Sequence, residues 1–265
     1  MKLKTISAIV VLAIVIPILI IGRLPFYIGV GIISVLAFKE IVTLRKAHQK
    51  LPDLMKVLGA GSLLALVYVH FTGYYIVSGV SYQSLAILLL AMLLPTLFYK
   101  HDKYTTKDAF YMIGSILLLG LVFNTLILVY NMNRWYLVYL ILITALNDTF
   151  AMVIGSLIGK HKITPTISPN KSVEGCIAGL ILGTFVSTLF FINVIKLPIH
   201  IAIVIGMTAI LSVVGQMGDL VFSKIKREND IKDFSKVIPG HGGILDRIDS
   251  LALVLLAFAI IVKFL

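Results

Sequence analysis

Nine apolar runs leave this chain almost no choice of architecture. They fall at about residues 6–22, 24–38, 57–77, 82–99, 108–130, 135–158, 172–195, 197–217 and 250–265. A helix needs roughly 20 apolar residues to cross a hydrocarbon core about 30 Å thick, and within that core it must satisfy its own backbone groups. The pattern predicts an all-α, polytopic integral membrane protein with about nine transmembrane helices. Charged residues make up only 13% of the chain, against about 25% in an ordinary soluble domain. The longest polar stretch, residues 218–250, is too short for a core of its own. Residues 1–265 are therefore expected to form a single transmembrane domain.

The charges order these runs. With the N-terminus in the cytoplasm, 19 of the 23 Lys and Arg residues fall on cytoplasmic segments, and only Arg23, Arg134, Lys196 and Lys263 fall outside. The opposite orientation would invert that bias, which the preference for positive cytoplasmic loops disfavours. The net charge of +11 is accounted for by this bias and by anionic lipid, so no nucleic-acid partner is expected. Lys2 and Lys4 before an apolar run resemble a secretory leader, but no small-x-small cleavage site follows. The run is read as the first span. The single cysteine, Cys176, excludes an intrachain disulfide. Gly155-x3-Gly159 and Gly175-x3-Gly179-x3-Gly183 are small-residue ridges that suit close helix packing, either within the chain or at a homodimer face.

The informative polar residues are few. Asp148 lies inside an apolar run, where an ionised carboxylate costs at least about 2.5–3.5 kcal/mol. It either pairs with a cation to fix a helix or serves function. Asp219 stands at the end of the eighth run. Asp246 and Asp249 are three apart and share one face in the first turn of the ninth, where the helix dipole also tolerates anions. Between them lie cations and glycines: Lys226, Arg227, Lys232, Gly240, His241, Gly242, Gly243 and Arg247. Glycines let backbone approach a ligand closely and can turn N–H groups toward phosphate. His241 could donate to a phosphate, act as a general acid, or only shape its loop. No His/Cys set suggests zinc.

Two blocks carry a resemblance. The first runs Ser223-x-Ile225-Lys226-Arg227-x4-Lys232-Asp233-x-Ser235-x2-Ile238-Pro239-x-His241-Gly242-Gly243-Ile244-x-Asp246-Arg247-Ile248-Asp249. The second is Ser168-Pro169-Asn170-Lys171-Ser172-x-Glu174-Gly175. The first resembles, without a mismatch, the signature of the phosphatidate cytidylyltransferases (CDP-diacylglycerol synthases), and the second resembles a further block of that family. One departure is visible: Asp148-Thr149-Phe150-Ala151-Met152 stands where the family commonly reads Asp-Thr-Gly-Ala-Tyr.

The resemblance implies transfer of the cytidylyl group of CTP to phosphatidic acid, giving CDP-diacylglycerol and pyrophosphate. It implies a multi-pass protein of the cell's inner membrane with its active site facing the cytoplasm. On this basis Asp148, Asp219, Asp246 and Asp249 are the expected metal-binding and catalytic carboxylates, joined by His241. Ser168, Asn170, Lys171, Ser223, Lys226, Arg227, Lys232, Gly242, Gly243 and Arg247 are expected to bind substrate. Hard carboxylate oxygens suit Mg²⁺, which shares its shell with phosphates and water, and four carboxylates leave room for a second ion. The rival with similar needs is a CTP-dependent lipid (polyprenol) kinase, whose alcohol nucleophile would need a base. An ion-coupled transporter fits less well, because the charges gather at one face and no internal repeat is seen. The Asp-Gly-x2-Ala-Arg pattern of CDP-alcohol phosphotransferases is absent. Asp148 is expected on the floor of a polar funnel open to the cytosol and, sideways, to the inner leaflet.

Overall fold

The computed structural model describes residues 22–44, 51–69, 82–100, 103–238, 240 and 242–264. Eight α-helices run through them: α1 (Arg23–Thr43), α2 (Asp53–Val67), α3 (Tyr82–Leu93), α4 (Thr106–Met132), α5 (Arg134–Ile158), α6 (Val173–Phe190), α7 (Ile201–Glu228) and α8 (Leu245–Ile261). A π turn, Phe191–Ile195, prolongs α6. The only strands among the described residues, β1 (Lys162–Thr164) and β2 (Ser168–Ser172), form an antiparallel hairpin between α5 and α6. Among the described residues, α1, α4, α5, α6 with its π turn, and α7 are long and apolar enough to cross a bilayer. The protein is an all-α membrane protein. Eight of the nine expected spans coincide with α1–α8, while the span at 6–22 lies outside the described residues.

Two boundaries differ from expectation, each for a physical reason. The third expected span, 57–77, is helical only as far as Val67. There the side-chain amide of Asn124 on α4 donates to the carbonyls of Leu66 (3.2 Å), Val67 (3.0 Å) and Val69 (3.3 Å). These are the C-terminal carbonyls that a helix leaves unpaired. The rest of that span, from residue 70 to 77, lies outside the described residues. The eighth expected span ends at 217, yet α7 continues to Glu228. Its 28 residues make it about 42 Å long at 1.5 Å per residue, well beyond a core of about 30 Å. Asp219, Ser223, Lys226 and Arg227 are therefore on a helix and not in a loop. Two features hold this extension together. Phe222 is buried on it, and Lys226 and Arg227 fall in the last turn, where cations suit the helix dipole.

The chain divides into two compact units. One holds Met1–Ile127 with Asp233–Leu245, the other Leu128–Lys232 with Asp246–Leu265. In the first, Tyr68 donates its hydroxyl to Tyr27 O (2.5 Å) and Tyr111 donates to Ile41 O (2.5 Å), so α1 is tied to the end of α2 and to α4. In the second, α5 and α6 form a close hairpin along the glycine ridge. A Cβ on Gly175 would lie 2.5 Å from Ala151 O, and one on Gly179 would lie 2.5 Å from Asn147 Oδ1 and 2.6 Å from Asn147 O. The ridge is thus used within the chain. Tyr136, Tyr139, Phe191 and Phe258 fill the other end with tilted ring contacts, with centroids 5.1–6.4 Å apart. Gly179→Ala should force α5 and α6 apart and cost about 1–3 kcal/mol, the usual penalty for overpacking. The check is a lowered thermal midpoint in detergent micelles. An unchanged midpoint would mean the helices do not approach this closely.

Candidate active site

The second unit gathers most of the residues named from the sequence. On α7 the polar side chains Gln216, Asp219, Ser223 and Lys226 recur at helical spacing and so line one stripe. Gly218 presses that stripe against α8, since a Cβ there would lie 2.9 Å from Asp249 O and 3.3 Å from Ser250 Cα. Asp148 on α5 meets the same turn of α8. Its Oδ2 accepts a long contact from Ser250 Oγ at 3.5 Å. Three helices thus deliver Asp148, Asp219, Asp246 and Asp249 to one region.

Lys171 reaches the region from β2, and a local clamp holds the hairpin. Glu174 in the first turn of α6 accepts from the amides of Lys160 (3.1 Å) and His161 (3.2 Å) and contacts His161 Nδ1 at 2.6 Å. Ser172 caps α6 by accepting from the Gly175 amide at 3.2 Å. Between these fixed points Lys171 forms an ion pair with Asp219. Asp219 also accepts from Ser223 Oγ at 3.4 Å. One helical turn further along α7, Lys226 Nζ donates to Asp246 Oδ1 at 2.7 Å, and only 4% of the Asp246 side chain is exposed.

The remaining two carboxylates are differently placed. Asp249 Oδ1 accepts from the Ser250 amide at 2.8 Å. Among the described residues, no cation forms an ion pair with either Asp148 or Asp249. Asp148 lies within electrostatic reach of Lys171 and Asp219, and Asp249 within reach of Asp219, Lys226 and Asp148. The region therefore carries two ion pairs and two carboxylates with no ion-pair partner among the described residues. Among the described residues, no three His, Cys, Asp or Glu side chains form a group that could hold a metal ion by themselves.

Other expected residues stand apart or play a different part. Arg227 is exposed and braces backbone, donating Nε to Ile167 O (3.2 Å) and Nη1 to Ile231 O (3.0 Å). Asn170, Lys232 and Arg247 are exposed and Ser168 is half-buried. Gly242 and Gly243 belong to the other compact unit. His241 lies outside the described residues. Phe150, where the family pattern has glycine, is half-buried on α5, and nothing in the structure explains it. Two residues escaped the sequence reading. Gln216 Nε2 donates to Asn147 Oδ1 (2.8 Å) and Cys176 O (2.9 Å), and Asn147 Nδ2 donates to Ser212 O (2.9 Å). This buried bridge joins α5, α6 and α7 beside Asp148 and Asp219. The signal available was the spacing of Gln216 from Asp219 on α7.

A family model described as "Cytidylyltransferase family" matches residues 2–265. The chain belongs to this family. Curated relatives agree. A phosphatidate cytidylyltransferase of Staphylococcus haemolyticus (strain JCSC1435) is 35% identical over 260 residues, covering 96% of each chain. One of Staphylococcus aureus (strain COL) is 34% identical over 258 residues, again covering 96% of each. One of Bacillus subtilis (strain 168) is 30% identical over 258 residues, 96% of this chain and 95% of the relative. Within this cytidylyltransferase one ion pair joins the shorter sequence block to α7 and the other lies within the longer block. Lys171 of one block holds Asp219, and Lys226 of the other holds Asp246.

Proposed function

We infer that the protein transfers the cytidylyl group of CTP to phosphatidic acid, giving CDP-diacylglycerol and pyrophosphate. The observation that carries this is the convergence of Asp148, Asp219, Asp246, Asp249 and Lys226 from three helices with Lys171 from the β1–β2 hairpin of a membrane protein, in a chain whose relatives bear the matching name. The attacking oxygen is the lipid's own phosphate. A phosphate monoester has a second pKa near about 6, so it is already an oxyanion at neutral pH and needs no general base. Its oxygen bonds to the α-phosphorus of CTP, the α–β bridging P–O bond breaks, and pyrophosphate leaves with that electron pair. The protein must hold nucleophile and leaving group in line and offset the charge on four phosphate groups and their transition state.

Each residue has a task in that scheme. Lys171 and Lys226 are pre-placed cations whose carboxylate partners hold them in position, and both can turn an N–H toward phosphate oxygen. Ser223 and Ser250 offer hydroxyl donors at the same level. The donor chemistry suits Mg²⁺: the oxygens are hard and two of the carboxylates have no ion-pair partner among the described residues, and this ion draws much of its shell from water and phosphate. Asp148 and Asp249 would hold it, with Asp219 and Asp246 beside them in their lysine pairs, and it would supply charge neutralisation for the triphosphate. A site at the lysine-rich ends of α5 and α7 faces the cytoplasm if positive segments stay inside. Phosphatidic acid would reach it from the inner leaflet, because withdrawing acyl chains from the bilayer costs about 0.8 kcal/mol per CH₂.

The test uses full-length protein in detergent with phosphatidic acid, Mg²⁺ and CTP labelled in either the cytidine or the γ-phosphate. Cytidine label should become lipid-soluble while the γ-label leaves as pyrophosphate. Lipid-soluble γ-label with release of CDP would assign a kinase instead.

A further inference from the structure

Glu40 belongs to neither sequence block, yet the turn before α8 is built on it. It lies near the end of α1 and is only 3% exposed. Its Oε1 accepts from Ser235 Oγ (2.6 Å) and from the Ile244 amide (2.8 Å), and its Oε2 accepts from the Leu245 amide (2.8 Å). All four residues lie in one compact unit. The first N–H groups of a helix have no partner within it, and the dipole there favours a carboxylate. Helices usually obtain this from a neighbouring cap residue. Here the acceptor is 204 and 205 residues away in sequence, so the bond does more than cap: it ties α1 to the turn.

The glycines of the turn acquire a specific reason. Gly240 and Gly242 have φ of 77° and 82°, a region that L side chains rarely adopt, and the Ile238 amide donates to Gly242 O at 2.9 Å to close the turn. Gly243 is different. A Cβ on it would lie 2.5 Å from Glu40 Oε1 and 2.7 Å from its carboxyl carbon. Gly243 makes room for Glu40, and the amides of Ile244 and Leu245 are spent on that carboxylate and are not offered to a phosphate.

We propose that Glu40 is a positioning residue for cytidylyl transfer: it fixes Ser235 and the amides of Ile244 and Leu245 at the start of α8, and acts through that helix's backbone on Asp246 and Asp249. The anchor stands on geometry alone; its catalytic consequence rests on the function proposed above.

Hydrogen–deuterium exchange and steady-state turnover of full-length Glu40→Gln, in detergent micelles, test both parts. Glutamine keeps the size but leaves a single accepting oxygen, so at least one of the two amides loses its partner. Exchange should quicken at least tenfold across 236–247 and stay unchanged in α4 and α6. Turnover should fall about 10- to 100-fold, the usual penalty for misplacing a site by an ångström or so. Gly243→Ala should also be impaired, but much less so in a Glu40→Ala background, because the atoms it strikes are gone. Such non-additivity marks direct coupling. Unchanged exchange, faster exchange with turnover within twofold of the wild type, or fully additive Gly243 and Glu40 effects would each overturn the proposal. If Glu40→Gln loosens the whole chain, Ser235→Ala, which removes the Ser235 Oγ bonds to Glu40 and from the Val237 amide but leaves the Ile244 and Leu245 amides on Glu40, decides by the same readouts. A wild-type protein that makes no lipid-soluble cytidine product would instead overturn the proposed function and leave the exchange result to judge the anchor.

Discussion

Asp246→Asn should lower turnover about 100- to 1,000-fold, the range seen when one charge-stabilising group is removed from a preorganised site. Asp246 is buried and holds Lys226 at 2.7 Å, so its loss has two effects. The site loses a carboxylate, and Lys226 keeps its charge in a buried position with the 2.7 Å ion pair broken, a kind of loss that costs up to about 3–5 kcal/mol. A lowered thermal midpoint is therefore expected alongside the lost activity. The two effects separate in the double variant Lys226→Met with Asp246→Asn. Removing both charges should recover most of the stability, because a buried pair contributes little net energy against an apolar replacement. Activity should stay at the level of the single variant or lower. The check is thermal unfolding in detergent beside cytidine incorporation at saturating Mg²⁺. Near-normal turnover of Asp246→Asn would remove this carboxylate from the chemistry. Recovery of activity in the double variant would reduce the pair to a structural strut.

Lys171→Met should be nearly as damaging, with turnover reduced about 100-fold. Lys171 is carried into the site by the β1–β2 hairpin and pairs with Asp219. Methionine preserves the apolar stem and removes the charge, so packing changes little while one cation for phosphate disappears. Lys171→Arg should rescue only in part, because the planar guanidinium carries its donors in a fixed fork and needs more room than an ammonium. The control is Lys224→Met on α7, whose side chain is 63% exposed and lies 3.8 Å from Glu228. Exposed pairs of this kind are worth at most about 1 kcal/mol, so its turnover should stay within twofold of the wild type. Initial rates against CTP and against phosphatidic acid distinguish which phosphate Lys171 serves. Equal losses in Lys171→Met and Lys224→Met would point to general electrostatics and not to a site.

Membrane class and the rough position of α1–α8 were legible in the sequence because both depend on local chemistry. A run of about 20 apolar residues must form a helix in a bilayer wherever it lies in the chain. The acids and lysines of the site could also be singled out, since charge is rare in this chain and each one near a span calls for a reason. Their partners could not. Lys171 with Asp219, Lys226 with Asp246, and Asp148 with Ser250 join residues brought together only by the packing of α5, the β1–β2 hairpin, α7 and α8. Hydropathy also closed the eighth span at 217, whereas α7 runs on to Glu228 as one helix with its polar stripe on a single face. Gln216 and Asn147 carried no charge to mark them. Glu40 stands just past an apolar run with nothing local to distinguish it, and its bonds to Ser235, Ile244 and Leu245 exist only after the chain has folded across about two hundred residues. Sequence determines which groups a segment must bury or expose. Which of those groups meet is set by helix packing, because each such bond is made between residues with no local relation to one another.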